Sequence, residues 1–134
     1  MFASPRSQAN AYSRVHVETG VQNADQHQLV LMLMDGAMTQ IGTAVAAIER
    51  GDIPAKCKAI THAASIVDEG LRSVIDLKRG GEVANTLHTL YTCVLHRLTE
   101  ANLKSDASLL RQCAELLAPV REAWQQIRPQ ALAA

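Results

Sequence analysis

Aromatic side chains are nearly missing from this chain: one Trp, two Tyr and one Phe among 134 residues, although 48% of the sequence is hydrophobic. A core without aromatics has to be assembled from Leu, Ile, Val, Ala and Met, which suit helices better than sheets. Net charge is missing too. Thirteen basic and thirteen acidic residues cancel, and no Lys/Arg cluster supplies the basic stripe of a nucleic-acid-binding protein. Cysteine is scarce. Cys57, Cys93 and Cys113 are odd in number and lack the close spacings of zinc sites. They fall on apolar positions of three different helical patterns and read as small core residues of a reducing compartment. The longest apolar run, Leu29 to Met34, is far short of the ~20 residues that cross a bilayer. Met1 to Gln22 lacks the continuous apolar segment of a secretory signal. These absences describe a cytoplasmic protein with no nucleic-acid partner and no membrane insertion, and the length is that of one domain.

Catalytic and cofactor chemistry is also absent. A di-iron bundle requires paired Glu-x-x-His motifs, and no Glu is followed by His at that spacing. His16, His27, His62, His88 and His96 are scattered; His88 and His96 share one helical pattern but lie about two turns apart, too far to share an ion unaided. Gly80-Gly81 precedes a helical pattern without the Lys-Ser/Thr that completes a phosphate-cradling loop. No Ser, Cys or Lys has a base at convincing spacing for nucleophilic catalysis. The sequence therefore predicts no enzyme, no metal and no cofactor. One alternative is a phosphotransfer bundle acting through His62, although Ala63-Ala64-Ser65-Ile66 follows that residue without the Lys and Gly such a site carries.

What is present is four amphipathic patterns behind a polar arm. Residues 1–22 have no helical period; Tyr12, Val15 and Val17 are set among polar residues, as in an extended segment laid on a surface. A first helix is expected over about 24–50, opened by Asn23 with Gln26 as a capping pair and closed by Gly51. Its seam is Leu29, Leu33, Ala37, Ile41, Ala44 and Ile48, beside a second stripe of Val30, Met34, Met38 and Val45. The second, 53–79, has Asp52 as cap, Pro54 in its first turn and Lys78-Arg79 in its last. Its seam runs Ile53, Cys57, Ile60, Ala64, Val67, Leu71, Val74, with a parallel stripe of Ala59, Ala63, Ile66, Gly70, Ser73 and Leu77. After Gly80-Gly81, a third helix over 82–103 carries Val83, Leu87, Leu90, Val94, Leu98 and Ala101, widened by Ala84, Tyr91 and Leu95. The fourth, 106–127, takes Ser105 as cap, with Leu109, Cys113, Leu116, Val120, Trp124 and Ile127 as its seam. Pro119 is expected to kink it or cost one hydrogen bond, and 129–134 is expected to be a loose tail. Short connections make neighbours antiparallel, giving an all-α, up-down-up-down four-helix bundle with the arm packed on or near it. Two helical hairpins swapped between chains are the alternative.

A bundle helix needs an apolar stripe of roughly 100°, and the second and third helices are wider than that near their shared turn. Ala59, Ala63 and Gly70, with Ile66 beside them, are small enough to form a shallow groove for an incoming amphipathic helix. Ala84, Tyr91 and Leu95 widen the third helix beside the seam residue Leu87, and the Met cluster of the first helix offers adaptable packing. The surplus either buries more core or binds a partner. A weak homodimer would use the same flank.

The ordered set Ala11-Tyr12, Gln28 through Ala37, Gly51-Asp52, Gly80-Gly81-Glu82-Val83-Ala84-Asn85, Leu87, Leu90-Tyr91, Leu98, Ala101-Asn102 and Ala123-Trp124 resembles the flagellar secretion chaperone family FliS, over about residues 11–127. Two departures are Pro119 inside the last helix and Met34 where Tyr is frequent. The resemblance implies an antiparallel helical bundle that binds the disordered C-terminal segment of flagellin in the cytoplasm. It implies prevention of premature polymerisation and delivery to the flagellar type III export apparatus. Contact with the export gate and with other flagellar regulators is implied at family level. The expected partner-binding residues are Tyr12, Val15, Val17, Ala63, Ile66, Gly70, Leu87, Tyr91 and Leu95.

Overall fold

The computed structural model describes residues 22–133, with side chains from 26 to 126. The arm, with Tyr12, Val15 and Val17, lies outside the described residues. Four helices follow in order: α1 (Gln22–Glu49), α2 (Ile53–Ser65), α3 (Gly81–Lys104) and α4 (Ala107–Ala133), with a π-helical continuation of α2 over Ile66–Arg72. The described residues are all-helical, without a strand.

Local chemistry accounts for most boundaries. Gly51 ends α1 in the left-handed region at φ 74°, and the Asp52 amide reaches back to the Ala47 carbonyl at 2.9 Å. The Asp52 carboxylate then accepts from the Ala55 amide at 3.1 Å, with Pro54 in the first turn of α2. Four expectations are corrected. Asn23 is not the cap, since α1 already begins at Gln22. Ser105 does not open α4; it closes α3 at φ 50°, and Asp106 accepts from the Ser108 amide at 2.9 Å instead. The second helix does not reach Arg79. It leaves the α form at Ile66 and ends at Arg72, and the Asp76 carboxylate then holds the Lys78 and Arg79 amides at 3.1 and 3.2 Å in a turn. Finally, α4 does not end before Pro129 but runs on to Ala133, with Pro119 inside it as expected. Pro119 is exposed, so the carbonyl it leaves without a helical donor can turn to water.

The core is aliphatic, as the composition demands. Met34, Ile41, Val67, Val94, Leu98, Leu110, Cys113 and Leu117 are its largest fully buried members. Its seam is turned relative to the expected one. In α1, Ala37, Ile41 and Ala44 are shared, but Met34 replaces Leu33 at the centre. In α4, Leu110 and Leu117 are inside and Leu109 and Leu116 only half-buried. A one-residue change of this kind is a rotation of about 100°.

Contacts between helices fix their directions. His27 meets Trp124, Asp35 pairs with Arg121 and Glu49 with Arg111, so α1 and α4 run in opposite senses. Leu33 lies against Gly70 and Gly36 against Ile66, which sets α1 against the returning α2. Gln26–Glu49, with a mean hydropathy of 1.5, is long and apolar enough to cross a membrane by length and composition. Its inward face is occupied by the core, and Asp35 and Glu49 are paired with arginines of α4.

Candidate interaction surface

The turn between the second and third helices needs both of its glycines, for different reasons. A Cβ on Gly80 would stand 2.4 Å from the Ala84 Cβ and 3.0 Å from the Asp76 carbonyl oxygen. Gly81, at φ 59°, has no neighbour within 4 Å; there the backbone itself excludes ordinary side chains. The Gly80 amide donates to the Asp76 carbonyl at 2.9 Å. This tight connection leaves Val74, Leu77 and Val83 exposed at 63%, 44% and 70%. Spacing alone assigns all three to the apolar face or seam of their helices. They are solvent-facing apolar residues at this end of the bundle, and Asp76 with Gly80-Gly81 is the sequence signal that marks them.

The candidate residues named from sequence divide sharply. Ala63 and Ile66 are buried in the core, and Tyr91 is buried beside them in the same apolar cluster. Gly70 is occupied from within: a Cβ there would lie 3.2 Å from Leu33 Cδ1. The small-residue stripe of α2 is thus filled in this structure by α1. Leu87 and Leu95 are half-buried and pack on the core margin. Met34 is fully buried, while Met32 on the same helix is exposed. Burial pushes the Tyr91 phenol up from its ordinary value to about 12 and the Cys113 thiol up to about 11, because the ionised form of each would lose its hydration.

Elsewhere the polar groups serve the fold. Lys56 is 4% exposed, and its ammonium donates to the Asn102 carbonyl and the Ser105 hydroxyl, both at 2.8 Å. It therefore satisfies the C-terminal end of α3, where a cation is favoured. His27 donates from Nε2 to the Trp124 carbonyl at 2.6 Å, while Trp124 Nε1 donates to the His27 carbonyl at 3.1 Å. The two rings stack at 4.8 Å. Nothing in the sequence pattern pairs these residues, which stand 97 positions apart.

An open groove of about 660 Å³ runs between α3 and α4, lined by His88, Thr92, Cys93, His96, Arg97 and Leu109 among others. Arg97 donates to Gln112 at 3.0 Å and to the Cys93 sulfur. No group of three His, Cys, Asp or Glu side chains suited to a metal occurs among the described residues. His62 is half-buried and its Nε2 is shielded from solvent without a partner, so that nitrogen is closed to a phosphodonor.

An aliphatic helical bundle with apolar side chains displayed around a double-glycine turn has close relatives. The sequence profile of the family described as flagellar protein FliS matches residues 8–131. The flagellar secretion chaperone FliS of Salmonella typhimurium is 42% identical over 121 residues, covering 90% of each chain. Flagellar secretion chaperone FliSB of Pseudomonas aeruginosa is 40% identical over 87% of this chain and 91% of its own. The Bacillus subtilis FliS remains 29% identical over 87% and 85%. A family match over residues 8–131 and relatives of this identity along most of the chain leave one conclusion: this chain belongs to the FliS family of flagellar proteins.

Proposed function

We propose that this protein is a cytoplasmic export chaperone for flagellin. It binds the disordered C-terminal segment of flagellin, prevents premature polymerisation and keeps the subunit competent for flagellar type III secretion. The observation that carries this reading is the similarity along nearly the whole chain to proteins named flagellar secretion chaperones. The protein acts by binding and not by catalysis. A client that folds as it binds loses ~2–5 kcal/mol to ordering, which burial of its apolar side chains against Val74, Leu77, Val83 and the half-buried Leu87 and Leu95 offsets. The arm residues Tyr12, Val15 and Val17 also take part in binding the client. Ala63, Ile66 and Tyr91, buried in the core, and Gly70, packed by Leu33, contribute to the binding surface by holding the helices that carry it. The loaded chaperone meets the export gate and other flagellar regulators.

Pull-down with full-length and C-terminally truncated flagellin tests the reading: truncation abolishes binding, and equal retention of both forms sinks it. Calorimetric titration of Tyr12→Ala addresses the arm. Weaker binding with unchanged far-UV circular dichroism is expected, and an unchanged isotherm removes the arm from the surface.

A further inference from the structure

Sequence and backbone part company after Ser65. Apolar spacing continues at helical period through Ile60, Ala64, Val67, Leu71 and Val74, and a second stripe continues through Gly70 to Leu77. An unbroken α-helix to about Arg79 would bring Val74 and Leu77 onto its apolar face. The chain instead winds Ile66–Arg72 as a π-helix, and the Ser73 amide donates five residues back to the Asp68 carbonyl at 2.9 Å. A π-turn holds one residue more than an α-turn, and such turns are rare. Val67 and Leu71 still point inward, but the next residue on the core is Ile75, and Val74 and Leu77 are left in solvent.

We infer that residues 66–79 are a two-register segment. The observed register displays Val74 and Leu77. A second register, a continuous α-helix from Ile53 to about Arg79, turns those two side chains onto the apolar face and releases Ile75. Three observations support two near-balanced arrangements. The second register gains a Val and a Leu on the apolar face for one half-buried Ile, and the polar bonds of the observed turn oppose that gain. The bonds that hold the observed turn are exposed and compete with water: Ser73 Oγ to the Glu69 carbonyl at 2.6 Å, and the Lys78 and Arg79 amides to Asp76. Arg72 latches the observed register by bonding Asp68 at 2.6 Å and Thr92 of α3 at 3.2 Å. Removing the extra residue of the π-turn rotates the residues C-terminal to it by about 100°, which moves Arg72 away from Thr92. Packed elements of this kind switch between discrete arrangements and do not deform smoothly. The device shows or withdraws an apolar surface at one end of the bundle, and it does so in the free protein, whatever partner uses that surface.

The test is NMR on the full chain. Ser73→Ala with Asp76→Ala removes the exposed bonds of the turn without touching the core. In this variant the Cα shifts of residues 73–79 move to helical values, and the 222 nm ellipticity gains about one-fourteenth, as seven residues added to the 99 helical ones among the described residues require. Wild-type relaxation dispersion shows a minor state with helical shifts confined to 66–80. A urea unfolding midpoint establishes that the variant is folded. Unmoved shifts in the folded variant, or dispersion profiles that are flat across 66–80, overturn the inference.

Discussion

Alanine placed at three glycines should have three different outcomes, and the structure fixes their order. Gly42 is exposed in the middle of α1, and a Cβ there meets nothing within 4 Å. Gly42→Ala therefore collects the helix propensity difference and stabilises the fold by ~1 kcal/mol. At Gly80 the new Cβ stands 2.4 Å from the Ala84 Cβ, far inside the ~3.5–4.0 Å of normal carbon contact. Ala84 Cβ is bonded directly to the backbone, so relief needs movement of the chain, and about 1–3 kcal/mol is lost. Gly81 meets no clash; its φ of 59° alone penalises an L side chain, by ~1–2 kcal/mol. Gly81→Asn should recover part of that loss, because Asn tolerates the left-handed region, whereas Gly80→Asn should recover none. Urea unfolding monitored at 222 nm, with equal m-values, gives the comparison. The order expected is Gly42→Ala above wild type, and wild type above both turn variants. A Gly80→Ala protein as stable as wild type would refute the geometry assigned to the turn.

Other outcomes rest on the buried polar groups and the phenol. Lys56→Ala should destabilise by ~2–4 kcal/mol, because the Asn102 carbonyl and Ser105 hydroxyl lose a charged donor; Lys56→Met, which keeps the apolar stem, should cost less in the same unfolding assay. Tyr91 has an ordinary value of 10.0 raised to about 12 by burial. Below pH 10 it is neutral in both states and contributes no pH dependence. Between pH 10 and 12 the unfolded chain ionises first, so stability falls as pH rises, by about 1–2 kcal/mol once residual hydration of the hydroxyl is allowed for. Tyr91→Phe should flatten this window, read as the difference in unfolding midpoint between the two proteins across it. Trp124→Phe should cost about 1 kcal/mol through the lost bond to the His27 carbonyl, and an additional His27→Ala change should be less than additive, since each residue holds the other.

Much of the fold was legible because local signals and global packing agree. Asp52, Pro54 and Gly51 say the same thing about one turn, and Gly80-Gly81 about another. Helical existence and order came from apolar period alone. Facing was less legible. A stripe wider than one seam leaves its centre undetermined by about one residue, and the choice between Leu33 and Met34, or between Leu109 and Leu110, belongs to the shape of the neighbouring helix. Boundaries failed where a side chain had two uses. Ser105 and Asp106 both suit a cap; Lys56, 49 residues away in sequence, holds the Ser105 hydroxyl, and Asp106 is left to open α4.

The interaction surface was the least legible part, for a physical reason. Apolar residues at helical spacing encode burial, and sequence cannot say whether the burying partner is the same chain or another. Ala63, Ile66 and Gly70 are small and apolar in a row, and here Leu33 and Gly36 of α1 lie against that row. Val74, Leu77 and Val83 carry the same signal and have no such cover among the described residues. What separates the two sets is the backbone between them: the second helix ends through a π-turn at Arg72, and Val74 and Leu77 fall in the turn that follows, off the face that Val67 and Leu71 occupy. The display of apolar surface at this end is therefore a property of helix register as much as of composition. Substitutions at Ser73 and Asp76, which touch neither the core nor those apolar side chains, should alter it as surely as removing the apolar residues themselves.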